Sequence, residues 1–172
     1  MPERRVVVTG LGAVTPLGNS VDETWENLLA GESGIEHTNV DPKFNIAGVV
    51  KNFDAASVIG RKLVRRSDPV THLALAAGIE ASEDAGLNFP ESYIREDVGI
   101  SLGVGMGGLH TLLAQHDVLK EKGHRKVSPL SIPMIMANST TGNLATFLGL
   151  GGPNYVVSTA CASANDAAAA AY

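Results

Sequence analysis

The chain has 172 residues, 44% of them hydrophobic and only 5% aromatic, with a formal net charge of −5. That length supports one domain whose core is built from aliphatic and small side chains. The acidic balance argues against a general nucleic-acid binder, and a single cysteine excludes an internal disulfide and fits a reducing compartment.

No run of about 18 apolar residues predicts a membrane span. The apolar part of the start, three valines after Met1-Pro2-Glu3-Arg4-Arg5, is too short for a secretory signal, so a cytoplasmic protein is expected. Arg5 to Thr9 reads as a strand of the kind buried on both faces of a parallel sheet. Gly10-Leu11-Gly12 breaks it, and Pro16-Leu17-Gly18-Asn19 is a turn. Ser20 and Glu23 form a capping box for a helix that turns Val21, Trp25, Leu28 and Leu29 inward and stops at Gly31. Glu32 to Gly60 is irregular, with a short strand at Ile46 to Val50. Asp68 then Pro69 is an N-cap followed by proline at the first helical position. The helix it opens carries a thin face of Ala74, Ala77, Gly78, Ala81 and Ala85, and Gly86 ends it.

Val98 to Leu102 reads as a second buried strand, followed by Gly103-Val104-Gly105-Met106-Gly107-Gly108 and a helix with Leu109, Leu112, Leu113 and Leu119 inward. Lys120 and Lys122 suit its C-terminal dipole before Gly123. Pro133 opens a further helix that runs to Leu148 and closes on Gly149. Strands alternate with helices throughout, which predicts an α/β fold with a largely parallel sheet.

The final stretch, Val156 to Ala164, carries the chemistry. A β-branched run turns into small residues, Cys161 sits at the turn, and an alanine-rich helical pattern follows from Ala164 to Ala171. A cysteine at a helix N-terminus feels the positive end of the dipole, which favours the thiolate, and its small neighbours leave room for a substrate. This pattern is that of a nucleophile at a strand-to-helix elbow. Buried structural thiols follow the same composition, so the residues alone leave both readings open. The helix has no glycine, basic last turn or proline to close it at Tyr172, which predicts a piece of a longer protein.

Two other features invite a function. Gly103-x-Gly105-x-x-Gly108 matches a dinucleotide fingerprint, but no acidic residue ends a second strand about 20 positions on. Tight packing beside a buried site is the plainer reading of these glycines. Arg61, Lys62, Arg65 and Arg66 form a compact basic block, with Arg125 and Lys126 a smaller one, in an otherwise acidic chain. Such a block is a solvated face or a surface that steers an acidic partner. The five histidines show no metal-ligand spacing, so no metal is expected.

In order, Arg4 to Gly12, Thr15 to Asn19, Trp25 with Leu28 to Gly31, Asp68, Asp84-Ala85-Gly86, Gly103 to Gly108, Gly152-Pro153-Asn154 and Thr159-Ala160-Cys161-Ala162-Ser163 resemble the β-ketoacyl-[acyl-carrier-protein] synthases. The resemblance is to the elongating condensing enzymes, closest to type II, and spans essentially the whole chain. It implies the thiolase-like fold: residues 1–172 would be the N-terminal half of a duplicated five-layered α/β/α/β/α architecture, truncated in the nucleophile helix. It also implies an obligate homodimer at full length.

The resemblance further implies that Cys161 is the nucleophile that takes the acyl chain as a thioester, with its backbone N–H as one oxyanion donor. The chain would be extended by decarboxylative Claisen condensation with malonyl-acyl carrier protein. Met106, Ser131, Ile132 and Ala160 match positions near the acyl pocket. Arg61, Lys62, Arg65, Arg66, Arg125 and Lys126 match positions that dock the acidic carrier protein, acyl- or malonyl-loaded. No cofactor is implied. The two histidines and the lysine that handle decarboxylation belong to the other half, so none of the present histidines takes that role and this chain alone is expected to be inactive. Ala164 stands where the family usually has glycine, and Asn165-Asp166 before five alanines replaces a bulkier helix.

Within the family, the position of Cys161 argues against thiolases and initiating type III synthases, and its presence argues against the non-catalytic partner of polyketide ketosynthases. Fatty-acid elongation is the favoured expectation. A type II polyketide ketosynthase subunit is the alternative, and a non-catalytic carrier-protein-binding module is the alternative of another class.

Overall fold

The computed structural model describes residues 5–39, 43–89 and 93–172. Its helices are α1 (Val21–Leu29), α2 (Ala55–Ile59), α3 (Arg61–Val64), α4 (Pro69–Asp84), α5 (Leu109–Lys122), α6 (Ser131–Ile135), α7 (Ser139–Leu148) and α8 (Ser163–Ala171). Its strands are β1 (Ile35–His37), β2 (Ile46–Gly48), β3 (Ile100–Gly103) and β4 (Asn154–Val157).

β3 and β4 pair in parallel, Ile100 opposite Asn154 and Gly103 opposite Val157. Side chains alternate across a strand, and that alternation sorts the layers around β3. Ile100 packs with the Ile59–Leu75–Leu144 core, on the α4 and α7 side. Ser101 and Gly103 face α8: the Ser101 hydroxyl donates to Ala167 O at 2.7 Å, and a Cβ on Gly103 would lie 2.3 Å from the Ser163 carbonyl carbon. Helix α8 thus covers one face of the pair and α7 the other.

Helix α4 is the central element. Asp68 caps it, accepting from Val70 N at 3.2 Å, with Pro69 in the first turn where no N–H is needed. Leu75 is wholly buried at its centre. Its thin face works in two directions. A Cβ on Gly78 would come within 2.8 Å of both Leu144 methyls, and one on Gly12 would come within 1.9 Å of Ala77 O. Small residues on α4 therefore admit α7 on one side and the N-terminal segment on another.

The expected strand at Arg5 to Thr9 is not formed. Val6, Val7 and Val8 stand 52%, 59% and 81% exposed, and among the described residues no strand pairs with them. The segment that follows is tied to a helix instead: Leu11 N donates to Asp84 Oδ2 and Ala13 N to Glu80 Oε2, each at 2.8 Å. Glu80 also accepts from Val21 N at 2.7 Å, so one carboxylate of α4 holds both this segment and the start of α1.

Helix α1 starts at Ser20 as expected, whose hydroxyl accepts from Glu23 N, but Glu23 returns its bond to Asn19 N rather than to Ser20 N. Its inward side differs from expectation. Trp25, Leu28 and Leu29 are exposed, while Thr24 and Asn27 face the loop, Asn27 donating to Leu17 O at 2.7 Å. Polar side chains sit there because the turn at 15–18 presents unpaired backbone groups that need partners.

Other boundaries also change. The irregular stretch 32–60 contains the antiparallel pair β1–β2 and helix α2, and the strand expected at 46–50 is limited to β2. The strand expected from Val98 begins at Ile100. The single helix expected from Pro133 to Leu148 is two, α6 and α7. Pro133 lies inside the first turn of α6, and Met136 leaves the helical region at ψ 133. The parallel pairing is confined, among the described residues, to β3 and β4. The leucines of α5 point outward: Leu109, Leu112, Leu113 and Leu119 are 38% to 56% exposed, and Thr111 is the buried residue of that helix.

Candidate active site

The site grows from the end of β4. After Val157 the chain turns through Ser158 and Thr159 into a 3₁₀ turn at Ala160–Ala162, and α8 starts at Ser163. Cys161 is in that turn and is exposed. The residue before it, Ala160, has φ +52, a left-handed conformation that costs an L-residue roughly 1–3 kcal/mol and persists only when its surroundings hold it.

Those surroundings are visible. Ser163 Oγ accepts from Thr159 N at 2.9 Å and donates to Ala160 O at 2.6 Å. The Thr159 hydroxyl donates to Asp166 Oδ2 at 2.6 Å. The first turn of α8 thus reaches back across Cys161 and holds the two residues before it. Among the described residues no hydrogen bond uses the Cys161 backbone N–H, which leaves that donor for a ligand.

The glycine loop 103–108 lies against the elbow. A Cβ on Gly105 would sit 3.8 Å from Ala160 O, and Ser158 Oγ donates to Gly105 O at 3.4 Å. At its far end, Gly108 N donates to Ile135 O at 3.0 Å, and a Cβ on Gly108 would fall 2.2 Å from Met134 O. Gly103 and Gly108 therefore serve close backbone approach to α8 and α6, the plainer of the two expectations.

The same loop joins several of the residues singled out from sequence. Met106 follows Gly105 in the loop and is 76% exposed. Ile132, 68% exposed, belongs to α6, against which the loop ends. Ser131 is buried and its hydroxyl donates to Ser128 O at 2.6 Å, so in this chain that group helps to start α6. The basic residues Arg61, Lys62, Arg65 and Arg66 are all exposed on and just after α3, and Arg125 and Lys126 are exposed after α5. No ion pair among the described residues holds any of them.

Two features were missed at the sequence level. Asp68, wholly buried, accepts from Thr111 N at 2.7 Å as well as from Val70 N, so one carboxylate caps both α4 and α5. The N-cap position of α5 is Gly108, which has no side chain to do this locally. The Thr159–Asp166 bond was the other, and its only signal was two polar residues seven apart around the cysteine.

Residues 3–172 match the sequence profile described as "Beta-ketoacyl synthase, N-terminal domain". The chain belongs to that family. Among relatives of this β-ketoacyl synthase domain, the 3-oxoacyl-[acyl-carrier-protein] synthase 2 of Vibrio harveyi is 45% identical over 167 residues, covering 94% of this chain and 40% of that protein. The protein of that name from Staphylococcus aureus (strain COL) is 39% identical over 173 residues, covering 98% and 42%. The chain thus spans about two fifths of the length of these curated relatives. A crystal structure of a β-ketoacyl synthase from Burkholderia phymatum STM815 superposes with a TM-score of 0.84 at 28% identity, over 99% of this chain and 43% of that one. A type II polyketide acyl-carrier protein in complex with its ketosynthase bound to the hexaketide gives 0.79 at 22% identity, over 94% and 43%, a likeness of fold. The α/β fold expected from the sequence is therefore the thiolase-like fold of the ketosynthases.

Proposed function

We propose that this chain supplies the nucleophile of an elongating β-ketoacyl-[acyl-carrier-protein] synthase. Cys161 Sγ attacks the carbonyl of an acyl thioester, the negative oxygen forms beside the free Cys161 N–H, and the carrier thiol leaves with a proton. The acyl group then rests on Cys161 as a thioester. Malonyl-carrier protein loses CO2, its carbanion attacks that thioester, and the product leaves as a β-ketoacyl thioester two carbons longer, with Cys161 released. The groups that promote decarboxylation would come from the remainder of the intact protein. The observation that carries this reading is the exposed Cys161 on a braced elbow with an unspent N–H, in a chain that matches the family from residue 3 to residue 172.

Around this nucleophile, Met106, Ile132, Ala160 and Ser131 line or support the start of the acyl pocket. Arg61, Lys62, Arg65 and Arg66, with Arg125 and Lys126, dock the acidic carrier protein. The intact protein works as a cytoplasmic homodimer. Fatty-acid elongation is favoured over polyketide synthesis, supported by 39–45% identity to proteins named 3-oxoacyl-[acyl-carrier-protein] synthase 2.

The test is acylation of the intact protein by a saturated acyl-carrier thioester, read by mass spectrometry of the Cys161 peptide. The peptide should gain the acyl mass, Cys161→Ala should abolish it, and added malonyl-carrier protein should discharge it with a single two-carbon extension. Acylation at another residue, or none, overturns the proposal. Repeated condensation to a polyketone moves it to the polyketide branch.

A further inference from the structure

The proposed reaction needs a thiol whose direction is fixed, and Cys161 sits on a turn whose own backbone is strained. Ala160 at φ +52 would relax if nothing held it. α8 has no side-chain cap on its first N–H groups, since its N-cap position is Ala162. What holds the turn is a set of bonds that span the cysteine. One part, through Ser163 Oγ, is local to the turn: that hydroxyl accepts from Thr159 N and donates to Ala160 O. The other reaches farther: Thr159 Oγ1 donates to Asp166 Oδ2 at 2.6 Å, short as expected for a hydroxyl on a carboxylate.

This second bond ties the last residue before the strained alanine to the first acidic residue of α8. Both ends are exposed, so burial does not require it, and neither residue belongs to the core. A threonine could equally point its hydroxyl at water. Its effect is to close a ring of residues 159–166 around Cys161. The opposite side of that ring is already fixed, because Gly103 admits the Ser163 backbone so closely that no side chain would fit.

We propose that Thr159 and Asp166 are positioning residues for Cys161: their bond holds Ala160 in the left-handed conformation and so sets where the thiol points. The inference rests on the reading of Cys161 as the nucleophile, but it can be tested without that reading. Thr159→Val keeps shape and volume and removes only the hydroxyl. Thr159→Ser keeps the hydroxyl, and Asp166→Asn keeps an acceptor.

In the intact protein, the rate of Cys161 alkylation by iodoacetamide, followed by peptide mass, should fall about fivefold to tenfold in Thr159→Val, the scale of a modest misplacement of a reacting group. Thr159→Ser and Asp166→Asn should stay within about twofold of the parent, and Thr159→Val/Asp166→Asn should be no slower than Thr159→Val alone, since the two act through one bond. Parent-like alkylation in Thr159→Val, or a loss in Thr159→Ser as large as that in Thr159→Val, overturns the proposal. Acyl transfer from an acyl thioester separates the two readings. If alkylation follows the bond but the parent is never acylated, the positioning role stands and the condensing function falls. If the parent and Thr159→Val alkylate and acylate alike, the function stands and the positioning role falls.

Discussion

Helices α4 and α5 are of similar length and are capped by one carboxylate, yet they meet their surroundings in opposite ways. Helix α4 has a face of alanines and a glycine that lets the N-terminal segment lie against its backbone and lets Leu144 of α7 lie flush on Gly78. Helix α5 carries four leucines, and all four stand exposed while Thr111 is buried. A large apolar side chain marks surface that needs a partner but does not say which partner. A small one permits contact at a distance that larger residues forbid, and so shows where two elements of this chain must meet.

The sharpest way to break this comparison is through the small residues. Gly12→Ala would drive a methyl into Ala77 O, a backbone atom that cannot swing aside, and should cost about 3 kcal/mol or more in chemical denaturation. A parent-like midpoint would mean that the N-terminal segment does not lie on α4. Leu75→Ala, at the buried centre of α4, should lose about 3 kcal/mol.

Asp68 tests the shared cap. Asp68→Ala leaves Val70 N and Thr111 N without their acceptor in a buried place and should cost about 2–3 kcal/mol. Its hydrogen-exchange signature should be loss of protection in the first turns of both α4 and α5. Loss confined to α4 would show that α5 starts without it.

Gly78→Ala is the gentler counterpart of Gly12→Ala. The new methyl would meet only the Leu144 methyls, which can turn, and the helix gains about 1 kcal/mol of propensity, so the net change should stay within about 1 kcal/mol. Smallest of all, Leu113→Ala in the isolated chain should shift stability by less than about 0.5 kcal/mol, because the side chain is already 56% exposed. In the intact protein the same change should cost more, if α5 is covered there. The exposed leucines of α5, with Trp25, Leu28 and Leu29 of α1, also predict that residues 1–172 alone self-associate, and a monodisperse monomer in light scattering would count against that.

Much of the scaffold was readable in the residues. Asp68-Pro69 marked the start of α4, Ser20 the start of α1, and Gly31, Gly86, Gly123 and Gly149 the ends of helices, all four with positive φ. Caps and stops are local, because a few adjacent residues satisfy the backbone groups concerned. The place of Cys161 between β4 and α8 was legible for the same reason, as a switch from β-branched to small residues around it.

What failed were statements about which face is inward. Val6 to Val8 looked like a buried strand and are exposed, and the leucines of α5 looked like core and are not. Periodicity reports that an apolar face exists, while its burial depends on what lies across from it. The residues of the site follow that division. Sequence alone determined that Cys161 heads a helix after a strand, that glycines 103–108 form the loop before α5, and that a basic block stands out from an acidic chain. Only the tertiary structure decided that Gly103 lies flush against Ser163, that Asp68 reaches across 43 residues to cap α5, and that Thr159 and Asp166 close around the cysteine. Those are contacts between separate segments or across a turn, and their energy depends on a fit at the scale of an ångström that no local pattern of residue types encodes.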